Sequence, residues 1–103
     1  MKLRTGQTLV SLVDDTTVVV VRAATGDVEV TCGGTAMVDG KAGAGVAKGS
    51  PDPEQLEGTL IGKRYADEEL GLELLCTRGG AGTLTCNGVV LEIKGAKPLP
   101  ASD

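Results

Sequence analysis

An all-β fold is predicted for this 103-residue chain by three features of its sequence. Runs rich in Val, Leu and Thr show near-alternation of apolar and polar residues, Asp and Gly punctuate them, and no helical period outlasts a single turn. The early runs are QTLVSLV (7–13), TTVVVVRA (16–23) and DVEVTC (27–32), parted by Asp14-Asp15 and by Thr25-Gly26-Asp27, with TAMV (35–38) as a short fourth strand. After residue 60 the pattern returns in LGLELLCT (70–77), GTLTC (82–86) and VVLEI (89–93). Between these regions lies DGKAGAGVAKGSPDPEQLEG (39–58), whose Gly, Ala, Pro and acid mark a linker or long loop. DPEQLEG and YADEELG each have the composition for one helical turn and no more. The tail KGAKPLPASD carries Pro98 and Pro100, neither of which fits a central ladder.

Composition removes several functions. The net charge of −4 and the single aromatic residue, Tyr65, argue against nucleic-acid binding, which needs clustered cations and stacking rings. Histidine is absent, and with it the commonest general base near neutral pH and the usual partner for Ser11 or Ser50 in a hydrolase triad. No apolar run approaches the length of a membrane span, so no membrane partner is expected. The N-terminal residues lack the long apolar core of an export signal, and three cysteines without one suggest reduced thiols in a cytoplasmic protein. With no Phe or Trp, the core must be filled by Val, Leu and Ala, at a thin stability margin.

The two strand regions match each other when slid by 54 residues. Gly26 meets Gly80, Thr31 meets Thr85, Cys32 meets Cys86 and Gly34 meets Gly88. The apolar positions also agree, Val18 with Leu72, Val20 with Leu74, Val21 with Leu75, Val30 with Leu84 and Met37 with Leu91. This predicts an internal duplication. It divides the chain into a β repeat over 1–38, a linker or loop over 39–60, a second β repeat over 61–94 and a tail over 95–103.

The frame RYADEELGLELLCTRGGAGTLTCNGVVL in the second repeat resembles desulforedoxin and the N-terminal domain of desulfoferrodoxin, small knuckles of the rubredoxin-like group. Tyr65 and Gly71 bracket the first knuckle of that frame, Gly79, Gly80 and Gly82 stand at its Gly-rich hairpin, and Gly88 and Leu91 close the second. In that family four thiolates hold one iron. The resemblance places the ligand positions on Asp67, Leu70, Cys86 and Asn87 in the second repeat, and on Val13, Thr16, Cys32 and Gly33 in the first. Neither set makes a tetrahedral sulfur site, because aliphatic and glycine side chains donate nothing. The expectation is therefore a degenerate tandem repeat without metal or other cofactor, two small desulforedoxin-like antiparallel β repeats packed as an intrachain pseudo-dimer. Aliphatic strands would supply the stability that metal binding gives such knuckles.

Candidate sites are few. Cys32 and Cys86 read either as residual ligands or as small buried hydrophobes at strand ends, and Cys76 reads as packing. Asp67, Glu68 and Glu69 form an acidic run that suits a hard cation or a solvated face. Asp14 and Asp15 are turn residues with no further purpose expected. GKAGAGVAKGS misses both phosphate-loop and dinucleotide spacing, since Ala47 precedes Lys48 and the Gly43, Gly45, Gly49 interval is off by one. Tyr65, following Arg64, is expected to anchor the core with its hydroxyl on a carbonyl.

The function expected is a non-catalytic binding or accessory module, a homo-oligomer or a small subunit or docking partner of a larger protein, with the Pro-containing tail as a docking strap. Enzymatic activity by the chain alone is not expected. The alternative is an iron or zinc, or redox, protein that uses Cys32, Cys76 or Cys86 across subunits, with Asp67 and Asn87 as further ligand candidates.

Overall fold

The computed structural model describes residues 2–40 and 49–93. Among them no helix forms, and ten short strands make two antiparallel sheets. The strands are β1 (Thr8–Val10), β2 (Thr17–Arg22), β3 (Val30–Cys32), β4 (Thr35–Ala36), β5 (Val38–Asp39), β6 (Arg64–Asp67), β7 (Leu72–Arg78), β8 (Leu84–Cys86), β9 (Val89–Val90) and β10 (Glu92–Ile93). One sheet has the order β10-β6-β7-β2-β1-β5 and the other β4-β3-β8-β9.

Alternation places the core. In β2 Val18 and Val20 turn inward while Val19 and Val21 stay half-buried, and in β7 Leu72, Leu74 and Cys76 turn inward. The other sheet sends in Val30 and Cys32 from β3 and Leu84 and Cys86 from β8. Leu3, Leu9, Met37, Tyr65 and Leu91 join the same buried cluster. Positions 54 apart are buried alike: Val18 and Leu72, Val20 and Leu74, Val30 and Leu84, Cys32 and Cys86, Met37 and Leu91 all belong to it.

Both sheets also read alike outward from their centres. At the middle of the larger sheet β2 pairs with β7, and Val20 lies opposite Leu74. At the middle of the smaller one β3 pairs with β8, Thr31 lies opposite Thr85, and their hydroxyls hydrogen-bond. Each of these facing pairs is 54 residues apart in sequence. The backbone bonds from the Met37 amide to the Val30 carbonyl (2.8 Å) and from the Leu91 amide to the Leu84 carbonyl (3.0 Å) stand at the same separation.

Three local expectations change. YADEELG, expected to turn helically, begins as strand β6, because Tyr65 buries its ring and the Arg64–Asp67 backbone completes the free edge of β7. DPEQLEG forms turns and no helix, its Asp52 side chain accepting a hydrogen bond from the Glu54 amide at 2.9 Å. The glycines at 79–82 do not close a hairpin. They carry the chain from β7 in one sheet to β8 in the other.

The segment after residue 48 is tied down along its length. The Gly49 amide donates to the Leu12 carbonyl (2.7 Å), the Asp52 amide to the Gly33 carbonyl (2.8 Å), and the Gln55 carbonyl accepts from the Thr83 amide (2.9 Å). Thr59 exchanges both backbone bonds with Gly80, and its hydroxyl donates to the Gly82 carbonyl at 2.7 Å. The glycine-rich stretch 41–48 and the tail 95–103 lie outside the described residues.

Candidate functional site

The clearest polar constellation lies around Asp14. A turn between β1 and β2 brings Ser11, Asp14 and Thr16 together. The Ser11 hydroxyl accepts from the Val13 and Asp14 amides (3.1 and 3.2 Å), and Asp14 Oδ1 accepts from the Thr16 amide (2.9 Å). Local Asx and Ser turns of this kind are why such residues favour loops. Asp14 Oδ2 does more. It accepts from the Thr16 hydroxyl (3.0 Å) and, across 68 residues of sequence, from the Gly82 amide at 2.6 Å.

That long-range bond explains the glycine. A Cβ on Gly82 would stand 2.7 Å from the Gly33 nitrogen and 2.8 Å from Cys32 Sγ, so only a bare backbone approaches this closely. Burial tends to raise the Asp14 pKa, but the amides of Thr16 and Gly82 and the hydroxyls of Ser11 and Thr16 outweigh it and hold the carboxyl below its ordinary value. Asp14 is thus an ionised tie between the first β-turn and the crossing at 79–82. Sequence reading assigned it only a turn. Its partner lies too far along the chain for any local signal to reveal it.

Cys32 sits under this tie, fully buried, with its sulfur 3.7 Å from each Asp14 oxygen. Burial pushes the thiol up, and the negative charge of Asp14 adds to the rise against the opposing hydroxyls of Thr16 and Ser11. A buried thiol facing a carboxylate stays protonated and is a poor nucleophile. Val13 and Gly33, the other two positions carried over from the resemblance, are also brought here: a Cβ on Gly33 would meet Val13 Cγ2 at 2.8 Å. The four positions converge, but they present one thiol, one hydroxyl and no third donor.

Asp67 lies near Cys86, whose thiol is raised by burial first and by the charge of Asp67 second. Asp67 Oδ1 accepts from the Glu69 and Leu70 amides (3.0 and 3.3 Å), which fixes the turn out of β6. Asn87 is exposed and holds a left-handed backbone (φ 51°), the conformation that Gly33, 54 residues earlier, also adopts (φ 62°). Its amide donates to the Glu29 carbonyl (2.8 Å) and its side chain accepts from the Glu29 amide (2.9 Å). Its carboxamide is therefore engaged with backbone. The Asp67, Leu70, Cys86 and Asn87 set offers an iron centre one thiol and an aliphatic residue, which does not fit the group.

Cys76 is 1% exposed, raised by burial, and donates to the Arg78 carbonyl at 3.1 Å. Tyr65 is buried as expected, but its hydroxyl accepts from the Leu60 amide (2.9 Å) where a carbonyl partner was expected. Glu73 was not singled out by sequence. It is buried on β7, paired with Arg64 at 3.1 Å and opposite Arg22 in register. Beside it opens a shallow cleft of about 210 Å³ walled by Arg22, Asp67, Glu68 and Glu73. Among the described residues no three Cys, Asp or Glu side chains converge in a way that would hold a metal ion, and no helix is long and apolar enough to cross a membrane. No family model, curated protein or solved structure matches the chain.

Proposed function

We propose that this chain is a non-catalytic binding or accessory module of the cytoplasm, built from two copies of one small knuckle unit packed as an intrachain pseudo-dimer. The desulforedoxin-like frame is part of the same proposal. The observation that carries it is the pairing of residues 54 apart at the centre of each sheet, Val20 with Leu74 and Thr31 with Thr85. A two-fold axis between equivalent units has this property, since a residue near the axis faces its own equivalent.

The absence of catalysis is inferred from the chemistry present. All three thiols are buried and shifted away from reactivity, and the most engaged carboxylate, Asp14, has its oxygens occupied by backbone and hydroxyl donors. An interaction role is supported by apolar side chains left at the surface. Leu60, Ile61, Val89 and Val90 are about half exposed or more, and Val89–Val90 is an edge strand.

Size-exclusion chromatography with light scattering, together with elemental analysis of the purified chain, tests this reading. A self-associated or partner-bound species without stoichiometric metal supports it. A strictly monomeric chain that copurifies with nothing counts against the accessory role, and stoichiometric iron or zinc lost in Cys86→Ser would replace the reading with a metal protein.

A further inference from the structure

The face of the larger sheet turned away from the core combines aliphatic side chains with cations. Along one row Val38 pairs with Val10, Val10 with Thr17 and Thr17 with Arg78; along the next Val19 pairs with Leu75 and Leu75 with Arg64. The four aliphatic residues are half-buried and alternate with inward residues of the same strands. Arg22 stands on this face too, opposite Glu73. Three of the chain's four arginines therefore border one aliphatic strip in a protein of net charge −4. Set against them are Glu73, which Arg64 holds at 3.1 Å, and Glu92 on the β10 edge.

A second surface has the opposite character. Over 52–57 the carboxylates of Asp52, Glu54 and Glu57 are exposed, with Pro53 and Leu56 exposed among them. In its own chain this segment is held at the smaller sheet. The Asp52 amide donates to the Gly33 carbonyl (2.8 Å) just after β3, and the Gln55 carbonyl accepts from the Thr83 amide (2.9 Å) just before β8.

We propose that the 52–57 segment of one copy docks on the outer face of the larger sheet of a second copy, with Leu56 on the Val19–Leu75 strip and the carboxylates among Arg22, Arg64 and Arg78. The inference names a partner for the interaction role proposed above and rests on that reading. Charge complementarity selects this occupant: segment against segment brings carboxylates together and face against face brings arginines together, whereas segment on face joins opposite signs. The aliphatic contact removes apolar surface from water, and the charges around it fix the orientation. Because the two surfaces belong to different sheets, the contact is head-to-tail, and copies add as a ring or chain instead of closing as a two-fold pair.

Sedimentation velocity of the full chain over a series of concentrations, at low and at high salt, tests the docking. Association should grow with concentration at low salt and weaken when salt is added. Arg78→Glu, and separately the double change Glu54→Lys and Glu57→Lys, should each raise the apparent dissociation constant about tenfold. An equimolar mixture of the two variants should associate again, because reversed signs then meet. All three positions are exposed, so circular dichroism should be unchanged, and Arg64 is left in place because it pairs with the buried Glu73. Association that ignores both variants, or variants that fail to combine when mixed, would overturn the docking while leaving a self-associating accessory module standing. A chain monomeric at every concentration would overturn it as well, and the accessory reading falls with it only where no other protein copurifies.

Discussion

Asp14 shows how one side chain can join distant parts of a small protein. Its Oδ2 takes the Gly82 amide in a charge-assisted bond, and the residue is half-buried. Removing the charge in Asp14→Asn should therefore cost about 1–2 kcal/mol of stability, measurable by urea unfolding. The pH dependence has a definite sign. A carboxyl held below its ordinary value in the folded state stabilises the fold above the unfolded-state pKa, and that contribution is lost as the pH falls through the folded value. Stability of the native chain should fall as the pH drops below about 4, and the Asp14→Asn variant should show a flatter profile there. Gly82→Ala should be the harsher change, about 1–3 kcal/mol, because the new methyl meets the Gly33 nitrogen and Cys32 sulfur at 2.7 and 2.8 Å. The thiols, by contrast, should be quiet: Cys32, Cys76 and Cys86 should label with a thiol reagent only at the rate of unfolding, and labelling of the native chain within minutes would contradict their burial.

Among the elements, β2 and β7 form the seam of the halves, β2 turning Val18 and Val20 inward and β7 turning in Leu72, Leu74 and Cys76. Leu74→Ala there should cost about 2–5 kcal/mol, while Val90→Ala on the exposed edge strand should stay within about 0.5 kcal/mol; a comparison of urea midpoints separates the two. These strands were also the legible ones. Val18 and Val20, Leu72 and Leu74 alternate with residues that face outward or sideways, and that period is what a half-buried strand requires. β6 was not legible, because Arg64, Ala66 and Asp67 carry no apolar alternation and the strand exists by pairing with β7 and β10. The crossing at 79–82 was misread for a related reason: three glycines permit a tight hairpin and a change of sheet equally well, and the choice is made by Asp14 and Thr59 from elsewhere in the chain. The Asp14 carboxylate, which bonds the Gly82 amide beside Val13, Thr16, Cys32 and Gly33, is not one of the four positions the resemblance singled out.

At the scale of the molecule, one core serves both sheets, and among the described residues no three Cys, Asp or Glu side chains converge to hold a metal ion. The aliphatic faces of β2, β3, β7 and β8 make that core, with Asp14 and the tied segment 49–59 joining the β1–β2 turn to the crossing at 79–82. If the halves fold only against each other, a defect in one must unfold both, whereas two autonomous knuckles would lose one and keep the other. The most direct measurement is urea unfolding followed by the fluorescence of Tyr65, which lies in the second half, and by far-ultraviolet circular dichroism, in the native chain and in Val18→Ala of the first half, with and without chelator. The account predicts a single coincident transition that Val18→Ala moves for both probes and that the chelator leaves in place. Separate transitions, a Tyr65 midpoint indifferent to Val18→Ala, or a midpoint that falls when metal is removed would contradict it.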